Sequence, residues 1–386
     1  MTTLKVAMIG HGFMGAAHSQ GWRTAHRVFN LPARPQMAVL VGRNGPAVAA
    51  NAEKWGWEAS ATDWREVIAR DDIDIIDIVT PGASHAEIAI AALKAGKHVL
   101  CEKPLANTVQ EAGAMAAAAA EASRRGVVSM VGFTYRRVPA ASFMRQLISQ
   151  GVLGQIRQVR ASYRQDWLVD PTVPLTWRLQ QDQAGSGALG DIGAHAIDLV
   201  HFATGLETRE VSGVLQTINT QRALPDGSGF GQVSVDDLAL FTGRLSNGAL
   251  ASFEASRFAT GRKNALSIEI SGDKGALAFD LEDLNSLHYY DRTDPEDRQG
   301  FRKILVTEAS HPYVSGWWPA GHMLGYEHGF SHQVKDLVEG IHNGTQPHSS
   351  FAEGLQVQRV LDAVTRSAAQ ESIWTRVEHD AQIHAG

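Results

Sequence analysis

The chain has 386 residues, 44% of them apolar and 20% charged, with a formal net charge of −6 and one cysteine, Cys101. That length holds two or three domains with real cores, and the composition excludes a chain that is mainly disordered. A mild acidic balance without a dense Lys/Arg run gives no footprint for nucleic acid; a lone cysteine excludes an internal disulfide framework and any cysteine-cluster metal site.

The start, Met-Thr-Thr-Leu-Lys-Val-Ala-Met-Ile-Gly, runs straight into a strand pattern without a charged and then apolar leader. No segment approaches the roughly 18 apolar residues that cross a bilayer. A soluble, cytoplasmic protein without a membrane partner is the expectation. Leu4–Gly10, Met37–Gly42, Asp74–Thr80, Lys97–Lys103 and Val127–Phe133 read as strands separated by helical spacing. Such alternation predicts a parallel sheet covered on both faces. The alanine-rich run Glu111–Ala122 follows from helix propensity.

Gly10-His11-Gly12-Phe13-Met14-Gly15 follows the first strand and opens a helix. A dinucleotide fingerprint needs that context: one glycine turns the chain, the second lets backbone approach pyrophosphate, and the third lets helix pack on strand. The second strand of such sites ends in an acid that binds the adenosine ribose, whereas this one ends Val41-Gly42-Arg43-Asn44. With no carboxylate to repel a 2′-phosphate, NADP is admissible beside NAD; Arg43 can meet that phosphate, stack on adenine or lie in solvent. The cofactor is read as NAD or NADP. Thr80-Pro81-Gly82-Ala83-Ser84-His85 ends the next strand at the edge where open α/β sheets bind ligands. Thr80, Pro81 and His85 are therefore expected in the cofactor cleft, with a helix cap at Ser84 and packing at His85 as the alternative. The following strand ends in Glu102-Lys103-Pro104. Proline restricts that step and aims Lys103, which reads as an active-site cation; an ordinary lysine before a turn is the alternative.

After about residue 150, strand follows strand. Arg157, Val159, Ala161 and Tyr163 alternate with polar neighbours, and Asp236–Leu245, Ala249–Arg257, Ala265–Ser271, Ala276–Leu281 and Arg302–Thr307 read likewise. Asn247-Gly248 and Asp273-Lys274-Gly275 are hairpin turns. Helical spacing returns at Leu189–Ala203, Glu327–Ile341 and Glu353–Ala369. The second half is thus an α+β domain on an open antiparallel sheet, with helices on one face and the other left for a subunit partner. The division falls at 1–132 and 133–386.

Within Gly185–His195, Asp191 and His195 stand four residues apart, on one face of a helix, and can address a single small ligand. Histidine suits proton transfer near neutral pH, and a carboxylate beside it sets orientation and charge. A helix N-terminal aspartate and a core histidine are the plainer alternative. His328 and His332, i and i+4 beside Glu327, lack a third clear ligand, so no metal is expected.

In the order Gly10–Gly15, Thr80-Pro81 with His85, Glu102-Lys103-Pro104 and Asp191 through His195, the chain resembles the Gfo/Idh/MocA (glucose–fructose oxidoreductase/inositol dehydrogenase) family over essentially its whole length. The resemblance implies a Rossmann domain followed by an open antiparallel α+β domain, with the active site between them. It implies that Lys103, Asp191 and His195 are the catalytic triplet, and that Gly10, Gly12, Phe13, Met14, Gly15, Arg43, Thr80, Pro81, His85, Glu102 and Lys103 serve the cofactor. Phe133–Arg137, Tyr163–Trp167 and Pro174–Arg178 look like the sugar-lining segments of the family's levoglucosan dehydrogenase-like, sugar-oxidising branch. By that likeness Tyr135, Gln165, Trp167 and Arg178 are sugar contacts. From the residues themselves, His328 is expected to approach the substrate and the free face of the C-terminal sheet to form a homodimer or homotetramer. The implied activity is hydride transfer between a secondary hydroxyl of a sugar, anhydrosugar or cyclitol and nicotinamide. An NAD-dependent glycoside hydrolase working by transient oxidation, and a non-catalytic nucleotide-responsive binding protein, are the alternatives.

Overall fold

Val6, Ala7 and Met8 are fully buried in the first strand because a parallel strand covered on both faces has no wet side. The computed structural model describes residues 2–379. These group into two compact units: residues up to 138 with Tyr313–Leu355, and Pro139–Pro312 with the residues from Gln356 onward. The first unit is therefore discontinuous along the chain.

In the first unit, β1 (Thr2–Ile9), β2 (Ala33–Val41), β3 (Ala59–Ala61), β4 (Ile75–Ile78), β5 (His98–Cys101) and β6 (Ser129–Val131) form a sheet ordered β3-β2-β1-β4-β5-β6. Every pairing is parallel. The strand order reverses between β1 and β4, the switch point at which open α/β sheets bind ligands. Helices α1 (Phe13–Val28) and α2 (Gly45–Trp55) follow β1 and β2. Trp22 and Ala25 of α1 join Met8, Leu40, Ile75 and Leu100 in one core. Val334, Leu337 and Val338, from the helix His328–Asn343, complete it.

The second unit carries β7 (Ile156–Arg164), β8 (Thr208–Gln216), the short hairpin β9 (Gln221–Ala223) and β10 (Phe230–Gln232), then β11 (Leu238–Leu245), β12 (Leu250–Ser256), β13 (Ala265–Gly272), β14 (Gly275–Asp280), β15 (Ser286–Asp291), β16 (Arg302–Leu305) and β17 (Thr375–Arg376). Among the described residues the large sheet runs β16-β15-β14-β13-β7-β12-β11-β8-β17. One pairing departs from the antiparallel expectation: β7 and β12 are parallel, Leu250 opposite Gln158 through Ser256 opposite Arg164. The chain leaves β7 through an excursion that includes a helix and re-enters the sheet at β8 in the same direction, then reverses at β11 and again at β12, which lays β12 parallel beside β7. Along β11, Ala239, Phe241, Gly243 and Leu245 are buried while Leu240, Thr242 and Arg244 are exposed, giving the two faces distinct chemistry. The buried face meets the helix Ala194–Thr204 and the C-terminal part of the helix Phe351–Ala369, where Ser367 Oγ accepts from Gly213 N at 3.1 Å.

Candidate active site

The glycines of the first loop differ in what each permits. Gly10 has φ +114°, and a Cβ there would lie 2.8 Å from the Val79 carbonyl oxygen. A Cβ at Gly12 would meet nothing, and one at Gly15 would press on Gly10 O at 3.0 Å. Turn, open approach and tight packing are the three roles a pyrophosphate-binding loop asks of its glycines. At the start of α1, Gly12 offers no side-chain cap and no acidic residue occupies the first turn. The exposed N–H groups and the positive helix end thus face outward, as a phosphate needs. The loop fits a dinucleotide. Phe13 stands exposed beside Met14, its ring stacked 6.3 Å from Tyr326.

At the carboxyl edge, Ser84 Oγ lies 2.7 Å from Thr80 Oγ1 and 2.9 Å from Pro81 O, within hydrogen-bonding distance of both, fixing the loop after β4. His85 departs from the expectation of a cofactor-facing ring. It is buried, with Nε2 2.9 Å from Thr80 O and Nδ1 3.1 Å from Pro104 O. Burial pushes its pKa below the ordinary imidazole value, against the pull of the Thr80 carbonyl. His85 ties the Thr80 loop to the segment after Lys103.

Glu102 is likewise turned inward. Its Oε1 meets His18 Nε2 at 3.1 Å and its Oε2 accepts from the Lys103 backbone N–H at 3.3 Å. A Cβ on Gly132 would collide with that carboxylate, so only glycine leaves it room. His18 Nδ1 lies 2.9 Å from Asp77 Oδ2, which also accepts from Trp22 Nε1 at 2.7 Å. Burial alone would depress His18, but Asp77 and Glu102 together raise its pKa to about 10. An imidazolium therefore sits between two buried carboxylates, one of them that of the residue before Lys103, whose bond to Pro104 is cis.

Tyr135 is buried with its ring 6.4 Å from Tyr326. His328 Nδ1 accepts from Gly325 N at 2.9 Å and its ring meets the edge of Trp317 at 4.3 Å. Both ring nitrogens of His332 have protein partners: its Nε2 accepts from Trp317 Nε1 at 2.7 Å and its Nδ1 donates to Arg137 O at 2.7 Å. Among the described residues no three His, Cys, Asp or Glu side chains gather as a metal site.

In the second unit, polar side chains form a continuous line. Trp167 Nε1 donates to Gln165 Oε1 at 3.0 Å, and Gln165 Nε2 donates to Asn264 Oδ1 at 2.9 Å. Tyr163 OH donates to the same oxygen at 2.6 Å, and the Tyr163 ring lies 5.8 Å from the His195 ring. Asp191 falls in a π-helical turn, Leu189–Gly193, that opens the helix bearing His195; single π turns recur at functional sites. Buried Asp236 holds that turn, its two oxygens accepting from Gly187 N at 2.7 Å and Leu189 N at 2.8 Å. Burial pushes the Asp236 carboxyl up, opposed by those two N–H groups. Fully buried Arg257 joins the parts. Its Nη1 lies 3.9 Å from Asp191 Oδ2 and donates to Arg178 O at 3.3 Å, its Nη2 donates to Asp236 O at 2.8 Å, and its guanidinium lies 5.6 Å from the Trp167 ring. Arg178 stacks its own guanidinium 4.4 Å from the Trp177 ring.

The candidates thus divide between the units. Gly10, Gly12, Phe13, Met14, Gly15, Arg43, Thr80, Pro81, His85, Glu102, Lys103, Tyr135 and His328 lie in the first, and Gln165, Trp167, Arg178, Asp191 and His195 in the second. Residue patterns passed over His18, Asp77, Asn264, Asp236 and Arg257. Asp77 alone left a trace, as a charge inside the apolar strand Ile-Ile-Asp-Ile.

A 3-2-1-4-5-6 parallel sheet with this glycine loop at its switch point defines a dinucleotide-binding Rossmann domain. Residues 4–133 match the model of the oxidoreductase family with an NAD-binding Rossmann fold, and residues 142–278 that of the GFO/IDH/MocA C-terminal domain. The chain belongs to the GFO/IDH/MocA oxidoreductase family. It is 41% identical to a levoglucosan dehydrogenase of Pseudarthrobacter phenanthrenivorans over 98% of this chain and 99% of that protein. An oxidoreductase domain protein from Kribbella flavida superposes with TM-score 0.96 at 59% identity, covering 98% of this chain and 100% of the other. A levoglucosan dehydrogenase in complex with NADH and levoglucosan superposes with TM-score 0.94 at 41% identity, with the same two coverages. The enzyme is an NAD(P)-dependent oxidoreductase.

Proposed function

We propose that this enzyme oxidises a secondary hydroxyl of a ring sugar to a ketone, with levoglucosan the first substrate to try. The observation that carries this reading is the full-length similarity to a protein solved with NADH and levoglucosan. The line Trp167–Gln165–Asn264–Tyr163, which runs to His195, supports it. Sugars are bound by aromatic faces and planar hydrogen-bonding groups, and this line supplies both.

Bound dinucleotide supplies the hydride acceptor. Gly10, Gly12, Phe13, Met14 and Gly15, with Arg43, Thr80 and Pro81, hold it, while His85 and Glu102 brace those segments from within. His195 takes the hydroxyl proton as general base, and Lys103 donates a hydrogen bond to the same oxygen, stabilising the negative charge that develops as the carbon gives up its hydride. Asp191 orients His195 and accepts from a neighbouring hydroxyl. Tyr135, Gln165, Trp167, Arg178 and His328 line the sugar.

The open face of the large sheet carries Val214, Leu240 and Leu250, each exposed, beside the Arg160–Glu269 ion pair. That mixture suits a second copy of this chain, and a homodimer or homotetramer through this face is part of the proposal. No described helix is long and apolar enough to cross a membrane. A nicotinamide cofactor and a buried Cys101 outside any disulfide suit the cytoplasm.

The test is a panel of anhydrosugars, hexoses and cyclitols with NAD and NADP, followed by absorbance of reduced cofactor. Accumulation with a ring sugar supports the reading, and a panel without any reduction defeats it.

A further inference from the structure

The end of β2 is where this fold reads the adenosine ribose, and Gly42 leaves that position without a side chain. The space is not open. A Cβ placed on Gly42 would meet His11 Nε2 at 2.6 Å, so the imidazole fills the volume in which an acidic side chain would begin. His11 comes from the glycine loop after β1 and is pinned from α2: Asn51 Nδ2 donates to His11 Nδ1 at 3.0 Å. With Nδ1 accepting, the proton of the neutral ring sits on Nε2, the nitrogen nearest position 42. Ring carbon Cδ2 lies nearest that Cβ position, and the nitrogen presented beside it, Nε2, is therefore a donor.

That inverts the chemistry of the position. A carboxylate accepts from both ribose hydroxyls and repels a 2′-phosphate, whereas an imidazole N–H donates to a hydroxyl oxygen or to a phosphate oxygen. Arg43, exposed beside it, adds a cation and no acceptor. We propose that His11, held by Asn51, is the cofactor-selecting residue of this enzyme and admits NADP alongside NAD. The proposal rests on the dinucleotide-binding reading of the loop and is independent of which sugar is oxidised. It also predicts that Gly42→Asp alone is an incomplete switch, because the new carboxylate must first displace the ring.

The experiment is direct binding of NADH and NADPH, without sugar, by titration calorimetry of the purified enzyme and its variants. Wild type is expected to bind NADPH within about tenfold of NADH. His11→Ala should weaken NADPH about tenfold and NADH less than threefold, the scale of one charge-assisted hydrogen bond. His11→Gln, which keeps a donor, should retain most NADPH affinity. His11→Ala with Gly42→Asp should separate the two by at least about a hundredfold in favour of NADH, and by more than Gly42→Asp alone. An unchanged NADH/NADPH ratio in His11→Ala, or a wild type that binds NADPH more than about a hundredfold worse than NADH, would overturn the proposal. Because sugar is absent, a failed sugar panel leaves these outcomes intact.

Discussion

The carboxylate of Glu102 meets His18 Nε2 at 3.1 Å, so the residue before Lys103 is anchored to the first helix. The same carboxylate accepts from the Lys103 backbone N–H. The cation assigned to the chemistry is therefore carried on a backbone whose position depends on a buried charge network.

His18 makes that network visible in stability. Its pKa is raised to about 10 against an ordinary 6.5, so its contribution is complete below pH 6.5 and is lost as pH rises through about 10. His18→Gln, by leaving Asp77 and Glu102 without their cation, should cost about 3–5 kcal/mol at neutral pH. The gap between wild type and variant should narrow from pH 7 to pH 10 in urea unfolding. A gap that is constant across that range would show His18 to be uncharged.

Lys103→Met should lower kcat by a factor on the order of 100 to 10,000 while the dinucleotide still binds, because the cation is assigned to the reacting oxygen and not to the pyrophosphate. Binding and turnover measured on one preparation separate the two roles. Turnover near wild type would end the assignment.

His195→Ala should lose activity on the same scale and recover part of it at high pH, where the alcohol gives up its proton with less help. The pH profile of kcat is the measurement. A variant with the wild-type profile would remove His195 from proton transfer.

Much of this was legible in the chain. The glycine loop, the strand–helix rhythm and the change to successive strands after residue 150 each rest on local patterns, and local patterns survive folding. Long-range partners leave no local mark. The parallel pairing of β7 with β12 joins residues about ninety apart, and no alternation of polar and apolar residues records which strand lies beside which. Arg257 read as the last residue of a strand, although its guanidinium meets groups from three separate segments. His85 and Glu102 were readable as functional types, but the direction in which each points depends on Pro104 and His18.

Arg257 offers a test of that hidden connectivity. Arg257→Lys keeps the charge but cannot reach Arg178 O and Asp236 O together with the planar fork. The Km for sugar should rise about tenfold, with the dinucleotide dissociation constant within twofold of wild type. An unchanged Km would mean that the Trp167–Arg178 loop is held without it.

The central claim, direct hydride transfer from a sugar carbon, is tested most directly with levoglucosan deuterated at its ring carbons and NAD, followed by mass spectrometry of the reduced cofactor. The account predicts one deuterium per reduced nicotinamide and one ketosugar per reduced cofactor. Sugar consumed without net reduced cofactor, or reduced cofactor that carries no deuterium, would contradict it.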